Sequence, residues 1–221
     1  MKITALSDIH SCLDYLKPSS SPAADIKQSD AVLISGDITD FGGDADAEAV
    51  IAELKAYNEN VFAVPGNCDL NGVDEYLKKQ NINLNCNSIV FESFCLAGIG
   101  GALSCQRHRG SKTTESDFTL CLEHIIERKL SDKPLIFVCH FPPFHTLVDR
   151  TRSGKHGGSR AVREFIEDCQ PMLSITGHIH EAAGTDRIGL TTLVNPGSFR
   201  QGRYAVIEIS DKVENVQIKS A

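Results

Sequence analysis

The sequence predicts an α/β fold, largely parallel at its start and closed by antiparallel hairpins at its end. Three observations carry this expectation. Short, β-branched apolar runs recur along the chain, helix-period stretches separate them in the first half, and residues 187–221 read almost entirely as strand.

The first apolar run, at 3–6, is short and bounded by polar residues, as is a strand buried on both faces. Similar runs lie at 31–34 and 61–64. Between the last two, residues 44–57 place Val50, Ile51 and Leu54 on one face at helical spacing. Residues 73–79 read as a further helix, followed by strands at 89–91 and 94–99. A helix over 116–129 carries Phe118, Leu122, Ile125 and Ile126 as its apolar stripe. After a strand at 135–138, Ser159 is suited to cap a helix over 159–169 that turns Val162, Phe165 and Ile166 inward. Strands at 172–175, 191–194, 204–209 and 213–218 complete the chain. No internal repeat or composition break divides it, so residues 1–221 read as a single domain.

Composition narrows the function classes. A hydrophobic share of 41% with 23% charged residues excludes wholesale disorder. No apolar run approaches the roughly 18–20 residues of a membrane span. A net charge of -7 argues against general binding to duplex nucleic acid, which needs a basic face. It leaves anionic substrates open, because a bound cation reverses the local charge. It also leaves room for a homo-oligomer. The eight cysteines (Cys12, Cys68, Cys86, Cys95, Cys105, Cys121, Cys139 and Cys169) form no CxxC pair. Asp8 comes too early for a secretory signal. The expectation is therefore reduced thiols in the cytoplasm. Two loops are basic, 104–115 with Arg107, His108, Arg109 and Lys112, and 146–158 with Arg150, Arg152, Lys155 and His156. Each alone reads as a solvated loop.

The chemistry lies where the apolar runs end. They deliver, in order, Asp8 and His10, Asp37, Asn67, His140, then His178 and His180. Carboxyl ends of strands in α/β sheets converge on one edge, where sites assemble. A single Asp there is usually a helix cap, but this many buried ionisable groups without cations would be severely unfavourable. The donors are too many for one tetrahedral zinc and suit two cations bridged by a carboxylate and a solvent molecule. Mixed imidazole, carboxylate and amide donors favour Mn²⁺, Fe or Zn²⁺, with Ni²⁺ also compatible. The i, i+2 spacing of Asp8 with His10, and of His178 with His180, points each pair to one side of an extended strand end. Gly36, Gly66 and Gly177 leave room for close backbone approach.

These motifs, D-x-H at Asp8, G-D-x-x-D at Gly36, G-N-x-D at Gly66, a strand-end His at 140 and G-H-x-H at Gly177, resemble the calcineurin-like metallophosphoesterase superfamily. All five occur in order, and Asn195-Pro196-Gly197-Ser198 looks like the closing motif of its smaller microbial members. The resemblance implies a four-layer α-β-β-α sandwich of two mixed sheets flanked by helices. It assigns Asp8, His10, Asp37 and His180 to a first metal, with Asp37 bridging, and Asn67, His140 and His178 to a second. Asp40 and Asp69 would orient histidines or cap turns.

Many relatives carry His in the G-N-H-[DE] block, where it protonates the leaving group or holds a phosphate oxygen; here that position is Cys68, a weak donor. The Gly-Asn-Cys-Asp form resembles that of a subgroup of small phosphodiesterases. The expected activity is hydrolysis of a small-molecule phosphodiester by a hydroxide between the metals, with Asp37, Asn67, His140 and Cys68 at the reacting centre. His108, His145 and His156 are candidates for the acid role. The alternatives are a non-catalytic scaffold of this fold binding a protein partner, as in the retromer relative, a phosphomonoesterase or protein phosphatase, and action on short nucleic-acid ends.

Overall fold

The computed structural model describes residues 1–103, 113–127 and 132–221. His108, Cys105, the basic residues 107, 109 and 112, and the expected end of the 116–129 helix lie outside the described residues.

Two sheets form the centre. In the first, β1 (Lys2–Leu6), β2 (Ala31–Ser35) and β3 (Val61–Val64) run parallel. On the other side of β1, β10 (Arg203–Ile209) and then β11 (Val213–Ser220) add antiparallel. The second sheet has a parallel centre of β5 (Phe94–Ile99), β6 (Leu135–Cys139), β7 (Leu173–Ile175) and β9 (Thr191–Asn195). Its antiparallel edges are β4 (Asn87–Phe91) and β8 (Gly184–Ile188).

Period-two alternation sorts the side chains into layers. Ile3 and Ala5 of β1 and Leu33 of β2 face Leu96, Ile136, Val138 and Ile175 of the second sheet. Leu6, Val32 and Ile34 turn outward beneath α1 (Ser21–Gln28), α2 (Asp44–Lys55) and α3 (Asn71–Lys79). On the far side, Phe137 and Cys139 pack under α4 (Glu115–Glu127) and α5 (Arg160–Cys169). Both faces of each sheet are thus buried, which explains why these strands read as continuous apolar runs. The result is the four-layer α-β-β-α sandwich.

Three features differ from the sequence reading. α1 is absent from it, because Pro22 and the serines around it read as loop. Yet Ser20 accepts a hydrogen bond from Ala23 N at the cap and Pro22 falls in the first turn, where its missing N–H costs nothing. β8 is a polar edge strand with only Ile188 buried, so no apolar run announces it. The thiol expectation is corrected at one pair: Cys86 and Cys121 form a disulfide, with Cα atoms 5.3 Å apart. Cys121 lies on the buried face of α4 and Cys86 just before β4. They are 35 positions apart, so only tertiary packing brings them together. Among the described residues no helix is long and apolar enough to cross a membrane.

Candidate metal centre

Each motif ends a strand on the same edge of the sandwich, and parallel pairing brings those ends level. β1 delivers Asp8 and His10, β2 delivers Asp37, and β3 leads into Asn67. On the facing sheet, β6 delivers His140, and the turn after β7 carries His178 and His180. Asp8 N donates to Gly36 O and His10 N to Asp37 O, both at 3.0 Å, which ties the first two loops together. Asp8, His10, Asp37 and His178 all adopt left-handed backbone, with φ of 52°, 49°, 49° and 65°. Non-glycine residues rarely do this, and such strain gathers at functional sites.

Two glycines are required by space. A Cβ on Gly66 would lie 2.1 Å from Asp37 Oδ1, and one on Gly177 would lie 1.8 Å from Ser7 Oγ. The Gly66 turn thereby lets Cys68 N donate to Asp37 Oδ1 at 2.7 Å. The Gly177 turn lets His178 N donate to Asp8 Oδ2 at 3.1 Å.

The donors then converge. His180 Nε2 lies 2.9 Å from Asp8 Oδ1, and His10 Nε2 lies 3.7 Å from Asp37 Oδ2. His140 Nε2 lies 3.1 Å from Asn67 Oδ1 and 3.5 Å from Asp37 Oδ1. Among the described residues, three overlapping groups each bring donor atoms within 4.8 Å of one another: Asp8 with His10 and His180, Asp8 with Asp37 and His140, and His10 with Asp37 and Cys68. Asp8, Asp37 and His10 each belong to two of them. Asp8 and His140 are fully buried, and Asp37 is nearly so.

This donor set fits cations. His140 Nδ1 donates to Ser35 O at 2.7 Å, so in the neutral ring Nε2 is a bare acceptor facing two oxygens. Acceptors facing acceptors in a buried site require positive charge between them. The charges register the same demand. Burial pulls the Asp8 carboxyl up, but the His180 hydrogen bond and the charges of His140 and His180 outweigh it and hold it at about 2. The hydrogen bond to Asp8 raises His180, with burial opposing. Burial lowers His140, yet Asp37 and Asp8 lift it above its ordinary value.

The remaining sequence candidates take distinct places. His178 stacks edge-on against His140, with ring centroids 5.2 Å apart, and lies 4.8 Å from the Phe141 ring. Asp69 accepts from Ile38 N, Thr39 N, Thr39 Oγ1 and Gly66 N, locking the β2 and β3 loops together; burial raises its carboxyl against those donors. Asp40 Oδ1 sits 3.9 Å from His10 Nδ1, a buried atom with no hydrogen-bond partner. Cys68 is buried, accepts from Asn67 Nδ2 at 3.2 Å, and has its thiol pushed up by burial and by Asp37, which keeps it protonated. His145 and His156 lie on the loop after β6, their rings 4.5 Å apart, with His156 Nδ1 2.6 Å from the buried Asp149 carboxylate. His156 is therefore anchored rather than loosely solvated.

Two contributors escaped the sequence reading. Ser7 Oγ donates to Asp8 Oδ2 at 2.6 Å; its position next to Asp8 was the available signal. Arg200 Nη1 donates to Asp40 Oδ2 at 3.0 Å, and Arg200 N to Asp8 O at 3.2 Å. Its signal was its place directly after the Asn195–Ser198 motif and its buried Phe199.

Comparisons with known proteins place the chain among its relatives. An uncharacterised protein of Methanocaldococcus jannaschii, MJ1162, is 32% identical over 200 residues, covering 89% of this chain and 88% of its own. The crystal structure of TT1561 of Thermus thermophilus matches with a TM-score of 0.75 at 20% identity, covering 99% of this chain and 98% of that one. A dimetal phosphatase from Danio rerio, LOC 393393, matches with a TM-score of 0.62 at 12% identity, covering 100% and 95%. At these identities the two structures establish a shared fold. The sequence model of the calcineurin-like phosphoesterase family matches residues 1–182, a stretch that holds every strand-end motif from Asp8 to His180, and the chain belongs to that family.

Proposed function

We propose that this metal-dependent phosphoesterase hydrolyses a small-molecule phosphodiester at a centre of two divalent cations. The observation that carries the reading is the buried convergence of Asp8, Asp37 and His140 with His10 and His180. Asp8, His10, Asp37 and His180 would hold the first cation, and Asn67, His140 and His178 the second. Asp37 is shared, in keeping with its Oδ1 facing His140 and its Oδ2 facing His10. Mn²⁺, Fe and Zn²⁺ suit the donors. When bound, such cations stabilise charge on phosphoryl oxygens and lower the pKa of coordinated water.

The chain's own residues supply the rest. Asp69 and the Gly66 turn hold Asp37 and Asn67 in register. Ser35 O fixes the His140 tautomer, so that Nε2 is the atom offered to the site. Ser7 and the His178 N–H hold Asp8. Asn67 Nδ2 donates one N–H to Cys68 Sγ, and its second N–H would serve a phosphoryl oxygen once Oδ1 held a cation. Cys68 supports the diester preference: it stands where many relatives carry His, and a neutral thiol is a weak proton donor, so leaving groups that need little protonation fit best.

The test is protein stripped of metal and reconstituted with Mn²⁺, assayed on bis(4-nitrophenyl) phosphate and 4-nitrophenyl phosphate in parallel. Faster turnover of the diester is expected. A preference for the monoester overturns the diester assignment, and no turnover of either with both sites filled overturns the catalytic one.

A further inference from the structure

We infer that Arg200 is a substrate-binding residue, its guanidinium parked on Asp40 until a phosphoryl oxygen of the substrate takes Asp40's place. This rests on the two-cation reading of the site.

The placement of Arg200 is built from three directions. Phe199 is fully buried in the core under the first sheet, which fixes the short helical turn Phe199–Gln201. Phe199 N donates to Ser7 O at 2.8 Å, and Ser198 Oγ donates to Asp8 O at 2.9 Å. Arg200 N also donates to Asp8 O. The arginine backbone is therefore stapled to the strand end that carries Asp8 and cannot drift from the site as an ordinary surface cation would.

Its side chain is open to solvent, and its partner Asp40 lies 3.9 Å from His10. The Arg200 and Asp40 side chains are 53% and 45% exposed, and a single hydrogen bond joins them. An exposed ion pair with one hydrogen bond contributes little to stability. A guanidinium pairs more strongly with a phosphate in the two-pronged arrangement its planar fork permits. Exchange of partners is thus cheap in one direction and favoured in the other. Asp40 is also the carboxylate whose second oxygen lies nearest the unpartnered His10 Nδ1. Transfer of the guanidinium to phosphate frees Asp40 to turn toward His10, so that arrival of the anion and the orienting of His10 are linked through one carboxylate. By contrast, among the described residues Arg163 is committed to Glu167 and to the Phe144 and His145 carbonyls, and Arg160 stacks on Phe144.

The test titrates inorganic phosphate into Mn²⁺-loaded wild type, Arg200→Ala and Arg200→Lys by calorimetry, and measures KM and kcat on the aryl diester. Arg200→Ala is expected to weaken phosphate binding and raise KM by roughly tenfold to a hundredfold, with a smaller fall in kcat. Arg200→Lys should recover part of the loss, since it keeps the charge but not the fork. Metal content and the melting temperature without phosphate should match wild type. Unchanged phosphate affinity and KM in Arg200→Ala overturns the inference, because the pair is then only a surface salt bridge. Loss of metal from Arg200→Ala overturns it too, since the residue then acts structurally. Phosphate binding needs no turnover: a wild type that binds phosphate through Arg200 yet hydrolyses neither ester refutes the hydrolase reading and leaves this inference standing.

Discussion

His180 Nε2 and Asp8 Oδ1 lie 2.9 Å apart across 172 positions of the chain, so the first and last motifs meet at one atom pair. Asp8 rides on β1 of one sheet and His180 on the turn after β7 of the other. The contact therefore spans the gap between the sheets and depends on their packing. His180→Ala should weaken the metal at this position by more than the roughly 10–100-fold that loss of an outer partner costs. Metal content after dialysis against a calibrated chelator reads this directly.

Gly177 bears on the same pair. Its missing Cβ makes room for Ser7 Oγ and for Asp8 Oδ2, which would lie 1.8 and 2.9 Å from a methyl group. Gly177→Ala should cost about 1–3 kcal/mol as an overpacked site and should displace Asp8 from the donor group. The urea midpoint and the metal content should fall together; a fall in neither means the turn can move freely.

Asp69 lies outside the proposed ligand set, yet it holds two of the loops that carry those ligands. Asp69→Ala strips partners from Ile38 N, Thr39 N and Gly66 N at once. A loss of about 3 kcal/mol or more is expected, because each buried donor left unpaired costs on the order of 1–3 kcal/mol. Denaturant unfolding measures it, and Asp69→Asn should retain part of the stability.

Asp25 sets a pH dependence away from the site. Burial raises its carboxyl, but hydrogen bonds from Lys219 and Tyr204 outweigh burial and hold it below the ordinary carboxylate value. Its contribution is then fully present above the unfolded value of about 3.9 and is lost as pH falls through the lower folded value. Asp25→Asn should lower the melting temperature at pH 6, and the gap to wild type should close as pH falls below the ordinary carboxylate value. A gap independent of pH would show that shape, not charge, matters there.

The Cys86–Cys121 disulfide closes a loop of 35 positions around β4, β5 and the start of α4. The loop-closure argument gives up to about 4 kcal/mol for a loop of this size. Reduction, or Cys86→Ser with Cys121→Ser, should lower the melting temperature of the oxidised protein. An unchanged transition would show that the thiols contribute only packing.

Much of this was legible in the sequence because the relevant signals are contiguous. A buried strand is an unbroken apolar run, and a strand-end ligand follows it directly, so Ile3–Leu6 could announce Asp8 and Leu135–Val138 could announce His140. The signals that failed are relational. The Arg200 side chain finds its partner in Asp40, which is 160 positions away, and Cys86 finds its own in Cys121. Left-handed backbone at Asp8, His10 and Asp37 is one that Asp and His adopt more readily than most residues, but these residue types do not require it, and it accompanies loops joined by mutual hydrogen bonds. Helix α1 is short, polar on one side and opened by proline, so its period is too brief to read.

The proposed chemistry depends on Asp37 standing between two cations. A crystal structure of the Mn²⁺-loaded protein, with anomalous scattering recorded at the manganese edge, tests it most directly. Two anomalous peaks should flank the Asp37 carboxylate, one against Asp8, His10 and His180 and the other against Asn67, His140 and His178. A single peak, or manganese bound away from Asp37, would contradict it.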